Sequence, residues 1–204
     1  MRQELASTNA TDSRVYELPT ILERLDLATL FPVEQPLEVE LGSGDGSFLV
    51  EYARRHPERN FIGVERLLGR LRKLDRKARR AGLFNVRAVR IESSYFLKYL
   101  LPRQSVSAVH IYFPDPWPKR KHRRHRLISE GFPALAHEAL VRSGTVFLRT
   151  DDADYFEQMN VVFESSPLFE AVETPESLTA LVTDFERGFL ANGVQTLRAA
   201  YRAR

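Results

Sequence analysis

Residues 112–126 crowd one carboxylate, one indole and a block of cations into a single short stretch. Pro114, Pro116 and Pro118 alternate with Asp115 and Trp117, and Lys119, Arg120, Lys121, His122, Arg123, Arg124, His125 and Arg126 follow without a break. Each proline fixes its own φ, so the acid and the ring sit on a stiff turn. A carboxylate accepts hydrogen bonds from the edge of a nucleobase. An indole either packs on the face of that base or covers the crevice that holds it. The cations suit the surrounding phosphates. Together these residue types point to chemistry on a base within a polynucleotide.

A second group lies upstream. Gly42, Gly44 and Gly46 form a turn directly after an apolar stretch that ends in Glu40 and Leu41, and Glu65 follows nineteen residues past Gly46. The glycines let a ligand approach the backbone closely. The third glycine arrives one position too early for the dinucleotide fingerprint, and no Lys-Ser or Lys-Thr follows to make a phosphate loop. Glu65 is placed to take ribose hydroxyls, Glu92 to reach an adenine, and Glu40 to face a cationic amino-acid end. S-adenosylmethionine has all three features and lacks a pyrophosphate, so it fits this group better than a nicotinamide dinucleotide. A solvated loop position is the alternative reading for each acid.

The elements that must position these groups follow from periodicity. Strands are expected at 37–41, 61–65, 86–91, 106–113 and 145–148, with further ones at 169–172 and 194–201. Helices are expected at 19–28, from 47 to about 56, at 67–81, 94–101, 129–141 and 154–164, and a short one within 183–192. In the helix over 67–81, Leu67, Leu71, Leu74, Ala78 and Ala81 repeat as an apolar stripe. Arg66, Arg70, Lys73, Lys77 and Arg80 repeat one step earlier as a cationic one, a second phosphate contact or a general attractant. Strands alternating with helices predict an open, mostly parallel α/β sheet with helices on both faces. Ligands in such sheets sit beyond the carboxyl ends of the strands. Glu40, Glu65, Glu92 and Asp115 all fall at or just past such ends, so four acids are expected around one crevice. Residues 1–17 read as a flexible segment and 18–204 as a single domain.

Composition narrows the classes. The chain has 204 residues and no cysteine, which excludes disulfides, thiolate metal sites and cysteine nucleophiles. The five histidines show no metal pattern, so no metal is expected. No apolar run approaches a membrane span, and residues 1–10 lack the apolar core of a secretory signal. The expected location is cytoplasmic, as a monomer or homodimer. A net charge of +3 conceals an asymmetry: residues 66–80 and 119–126 hold fourteen of the thirty Lys and Arg and only one acid, which leaves the remainder at −10. Cations gathered this way on an acidic body form a footprint for a polyanion, here nucleic acid.

The residues from Phe113 to Lys119 with the basic tail resemble the bacterial tRNA (guanine-N7)-methyltransferase family. Residues 40–46, 63–65, 149–151 and 183–186 also match its pattern. The resemblance implies a Rossmann-like methyltransferase fold with an antiparallel C-terminal strand. It implies S-adenosyl-L-methionine as cofactor and tRNA as partner, with methylation of the variable-loop guanosine at tRNA position 46. It makes Asp115 the catalytic residue and places Glu40, Gly42, Gly44, Gly46, Glu65, Glu92 and Asp115 around the donor. Lys119, Asp151, Thr183, Asp184, Phe185 and Glu186 would contact the substrate. Lys121, His122, Arg123, Arg124, His125 and Arg126 would contact the RNA. Read without the resemblance, Asp151 is a helix cap and Thr183 with Glu186 a capping box. Glu92 stands where the family commonly has Asp, and Asp184 where a basic or neutral residue is usual. Two other functions stay open. One is an amino-methyltransferase acting on adenine or cytosine, though those usually order the turn as acid, proline, proline, aromatic. The other is an RNA-binding module without catalysis.

Overall fold

A computed structural model describes residues 13–204, apart from the side chains of Asp184 and Phe185. In chain order the elements are β1 (Val15–Tyr16), β2 (Leu37–Leu41), α1 (Ser47–Arg55), β3 (Asn60–Val64), α2 (Leu68–Arg80), β4 (Val86–Val89) and α3 (Ser93–Tyr95). Then come β5 (Val106–Tyr112), α4 (Phe132–Ala139), β6 (Leu140–Thr150), α5 (Ala153–Glu164), β7 (Phe169–Val172), α6 (Glu176–Thr179), α7 (Asp184–Ala191) and β8 (Leu197–Ala203). The strands form one mixed sheet in the order β1-β4-β3-β2-β5-β6-β8-β7. The pairs from β1 to β6 are parallel, and β8 runs antiparallel to both its neighbours.

This order fixes where a ligand can enter. From β2 the chain steps outward through β3 to β4, then returns to β5 on the other side of β2 and goes on to β6. The reversal opens a crevice outside the carboxyl ends of β2 and β5. The glycine turn leaves β2 there, and the proline turn leaves β5 there. Leu71, Leu74 and Ala78 of α2 bury against Phe48, Leu49 and Tyr52 of α1 on one face of the sheet. On the other face Phe96, Leu100, Phe132, Ala136, Tyr155, Met159 and Phe163 fill the larger core. The apolar stripe of α2 is narrower than its spacing predicts, because Leu67 and Ala81 at its two ends are exposed.

Several elements depart from expectation. No helix spans 19–28; a single 3-10 turn, Leu27–Thr29, stands there, capped by Asp26. Tertiary contacts override the helical pattern: the Leu25 amide bonds the Leu100 carbonyl at 2.7 Å, and Leu25 and Leu30 are buried. The flexible segment expected through residue 17 falls largely on residues 1–12, outside the described residues. Its last part is ordered as β1, whose approach is fixed by the Arg14 amide on Asp75 (2.6 Å) and the Arg14 Nε on the Leu83 carbonyl (2.5 Å). Strand β6 begins at Leu140 rather than Thr145 and shortens α4, with an irregular register opposite Val106 and Ala108. Gly144 permits this, since a Cβ there would lie 2.9 Å from Leu140 Cδ2. The helix after β4 continues past Tyr95 as a π turn, Phe96–Leu100. The last strand lies a few residues later than its pattern suggests.

Candidate active site

The glycine turn carries φ values of 79°, 56° and 77° at Gly42, Gly44 and Gly46, a region that other residues enter only with strain. The Gly42 and Ser43 amides both donate to the Val64 carbonyl at 2.9 Å, which ties the turn to the end of β3. A Cβ at Gly42 or Gly44 would meet only open space, so these two line the crevice. Gly46, expected beside them, has a different reason to be glycine: a Cβ there would lie 2.6 Å from Leu74 Cγ. It is the point where α2 passes against the start of α1.

The four acids do not form one uniform ring. Glu65 accepts from the Gly44 amide (3.1 Å) and the Leu67 amide (2.7 Å), so it braces the glycine turn while its remaining lone pairs stay available. Glu40 is 4% exposed, and its Oε2 has no hydrogen-bond partner among the described residues. Burial pushes its carboxyl well above the ordinary carboxylate range; Arg149 opposes this, and Asp45 and Glu65 add to it. Glu92 is exposed and caps α3, accepting from the Ser94 amide (2.9 Å) and the Tyr95 amide (2.8 Å). Asp115 is exposed and accepts no hydrogen bond among the described residues. Burial raises the Tyr155 hydroxyl to about 12, and the charge of Asp115 adds to that effect.

The proline turn is strained as well as stiff. Phe113 and Trp117 both have positive φ, 51° and 43°, a cost of about 1–3 kcal/mol each that the surroundings must sustain. The Phe113 amide bonds the Arg149 carbonyl at 2.8 Å. Trp117 packs against His125 (5.2 Å between ring centroids) and His122 (5.9 Å). Arg126 departs from its expected role. Its side chain is buried, donates to the Pro116 carbonyl (2.7 Å), Gln158 (2.7 Å) and Asp154 (2.6 Å), and lies over the Tyr155 ring. It anchors the turn and presents nothing to a ligand. Lys119, Arg120, Lys121, Arg123, Arg124 and His125 are exposed and His122 is half-buried; Arg123 also reaches Asp154 (2.7 Å).

Downstream, Asp151 is half-buried at the carboxyl end of β6, and the cap of α5 is its neighbour Asp152, which accepts from the Tyr155 amide at 2.7 Å. Thr183 caps α7 by accepting from the Glu186 amide at 3.1 Å. Glu186 does not complete the reciprocal box and does not reach a substrate. It is fully buried between Arg149 (3.0 Å) and Arg198. The side chains of Asp184 and Phe185 lie outside the described residues.

Three buried residues, Glu38, His110 and Arg149, have roles that the sequence does not assign. Arg149 donates to the Leu178 and Leu181 carbonyls as well as to Glu186, and its guanidinium lies 4.4 Å from the Tyr112 ring centre. His110 bonds the Tyr112 hydroxyl (2.8 Å) and the Glu38 carboxylate (2.6 Å), and Glu38 is also held by Arg59. A carboxylate only accepts, so His110 Nε2 carries the proton in that bond. Glu38, Glu40, His110, Tyr112 and Arg149 alternate along three adjacent strands on one sheet face. Their alternation is the signal that was present; it usually marks a solvated face, and here α1 covers it.

The fold and this crevice are those of a methyltransferase. Residues 34–199 match the family model described as a putative methyltransferase. A solved 16S rRNA methyltransferase, KamB, superposes with a TM-score of 0.62 at 15% identity, over 89% of this chain and 94% of that one. A tRNA (guanine-N(7)-)-methyltransferase of Halorhodospira halophila is 37% identical over 88% of this chain and 80% of its own length. One of Thermotoga maritima is 37% identical over 84% of this chain, which spans 55% of that longer relative. The chain belongs to the tRNA (guanine-N(7)-)-methyltransferase family.

The residues fit the cofactor of such enzymes. The unpaired buried Glu40 Oε2 and the open space over Gly42 and Gly44 are what a cationic, closely approaching ligand requires. Among the described residues no group of three His, Asp or Glu is arranged to hold a metal ion, and no helix is long and apolar enough to cross a membrane.

Proposed function

We propose that this chain transfers a methyl group from S-adenosyl-L-methionine to N7 of a guanine in tRNA, the variable-loop guanosine at position 46, and works in the cytoplasm where that RNA resides. The observation that carries the reading is the pairing of two carboxylates at one topological switch point. Glu40 is buried and unpaired beneath the glycine turn, and Asp115 is exposed and unpaired on the proline turn one strand away.

The donor supplies an electrophilic methyl group on a sulfonium. When the donor is bound, Glu40 would answer its cationic end, Glu65 and Glu92 would hold its nucleoside, and the bare backbone of Gly42 and Gly44 would admit it. Guanine N7 already has a free lone pair, so no residue need remove a proton from it. As the N7–methyl bond forms the methyl–sulfur bond would break, the donor would leave as a neutral thioether, and the positive charge would pass to the base, where Asp115 would offset it from a fixed position. The stiff, strained turn keeps the carboxylate from relaxing away, so the protein acts mainly by positioning. Lys119, Asp151 and Thr183 border the substrate, and Lys121, His122, Arg123, Arg124 and His125 face the RNA backbone.

Incubation with unmodified tRNA and labelled donor, followed by nucleoside analysis, tests the base and the atom together. The expected product is 7-methylguanosine at position 46. Asp115→Ala should lower turnover at least a hundredfold while changing RNA affinity less than twofold. Because Asp115 is exposed and unpaired, the variant should melt with the wild type. Normal turnover by that variant would remove Asp115 from the chemistry.

A further inference from the structure

Helix α2 carries seven cations and one acid. The acid, Asp75, is already committed to the Arg14 amide and to Arg79 (3.9 Å). Lys77 is committed to Asp45 (2.9 Å) and Ser47 (2.8 Å). Arg66, Arg70, Arg72, Lys73, Arg76 and Arg80 are exposed, and among the described residues their side chains form no hydrogen bond or ion pair.

Helix stability does not account for this. Cations in the last turn suit the negative end of the helix dipole, which explains Arg80. Arg70 lies in the first turn, where the dipole opposes it, and Arg72 and Lys73 lie in the second, where the dipole gives them no support. Arg70 with Lys73 and Arg72 with Arg76 are like-charged neighbours on the helix surface, which destabilises it further. A solvated helix face normally mixes both signs.

The row Arg66, Arg70, Lys73, Lys77 and Arg80 faces α1, as the bonds from Lys77 to Asp45 and Ser47 show. Beside it runs an open groove of about 670 Å³, lined by Ser47, Glu51 and Arg55 of α1, Lys77 and Arg80 of α2, and Thr183. Its one carboxylate, Glu51, is held by Arg54 and Arg55. Ser47 directly follows the glycine turn, so one end of the groove lies next to that turn. The row extends along a helix of ~20 Å, far longer than one nucleotide. Its only large exposed apolar side chain is Leu67, too little for a lipid surface.

We infer that this row and groove form a second RNA track, a phosphate-binding surface for the backbone of the same RNA whose base enters the crevice. The inference rests on the RNA substrate proposed above. The test is Arg70→Glu combined with Lys73→Glu in the full chain, with Arg70→Gln and Lys73→Gln as the milder pair should the first not fold. KM for tRNA should rise at least tenfold, while kcat at saturating tRNA and donor affinity stay within twofold. Filter retention of tRNA should weaken in parallel, and its log–log salt slope should fall by about 1 for each phosphate no longer neutralised. Unchanged KM, retention and slope would overturn the inference. So would a loss of binding confined to anionic lipid vesicles. Retention does not depend on which atom is methylated. A wild type that binds tRNA but leaves N7 unmodified would therefore refute the proposed reaction without touching this surface.

Discussion

At the scale of single residues, the crevice depends on a carboxylate that the free protein tolerates poorly. Burial raises Glu40, so as pH climbs above the ordinary value of 4.5 the unfolded chain ionises this carboxyl while the fold resists doing so, and stability falls. Glu40→Gln removes that cost. Melting temperature measured against pH should therefore fall with rising pH in the wild type more than in the variant. Near neutrality the variant should melt higher, by about 2–4 °C for each kcal/mol recovered. Calorimetry should show donor affinity at least tenfold weaker in the same variant, because a neutral amide cannot answer a cationic ligand. A variant that binds the donor normally would separate Glu40 from the donor site.

At the scale of elements, the proline turn is held from behind. Arg126 reaches from the end of the cationic run to the Pro116 carbonyl and to Gln158 and Asp154 of α5. Arg126→Met leaves the Pro116 carbonyl and the Gln158 Oε1 unpaired, while the Gln158 amide nitrogen keeps its bond to the Ile128 carbonyl, at a cost of about 1–3 kcal/mol. Asp154 is half-exposed and is not stranded by the change. Turnover should drop tenfold or more, since Asp115 rides on the loosened turn, while RNA affinity and its salt slope barely move. Loss of RNA affinity with normal turnover would return Arg126 to the RNA surface.

At the scale of the whole molecule, a buried polar chain ties the middle of the sheet to its C-terminal cover. It runs from Glu38 through His110 and Tyr112 to Arg149, then to Glu186 and Arg198. Arg149 also holds the carbonyls of Leu178 and Leu181, so one side chain fixes the segment that leads into α7. Arg149→Met removes one partner of a buried pair, a change that costs about 3–5 kcal/mol, and should lower the melting temperature by ~10 °C. Thermal unfolding measures it directly. A near-neutral result would mean that Glu186 is fully served by Arg198 alone.

The sequence by itself determined the parallel order of strands and helices, the glycine turn, the proline turn and the gathering of cations. These are encoded locally, by periodicity of 2 or 3.6 and by residues whose backbone preferences leave few choices. Only the tertiary structure decided which polar residues meet a ligand and which are consumed inside. Arg126 and Lys121 look alike in a basic run, yet one is buried under a turn and the other is exposed. Glu40 and Glu186 are both buried, yet one keeps a free oxygen and the other spends both on arginines. That distinction depends on neighbours far apart in sequence, because a charge leaves water only where packing brings a partner to it, or where a functional site keeps the place open.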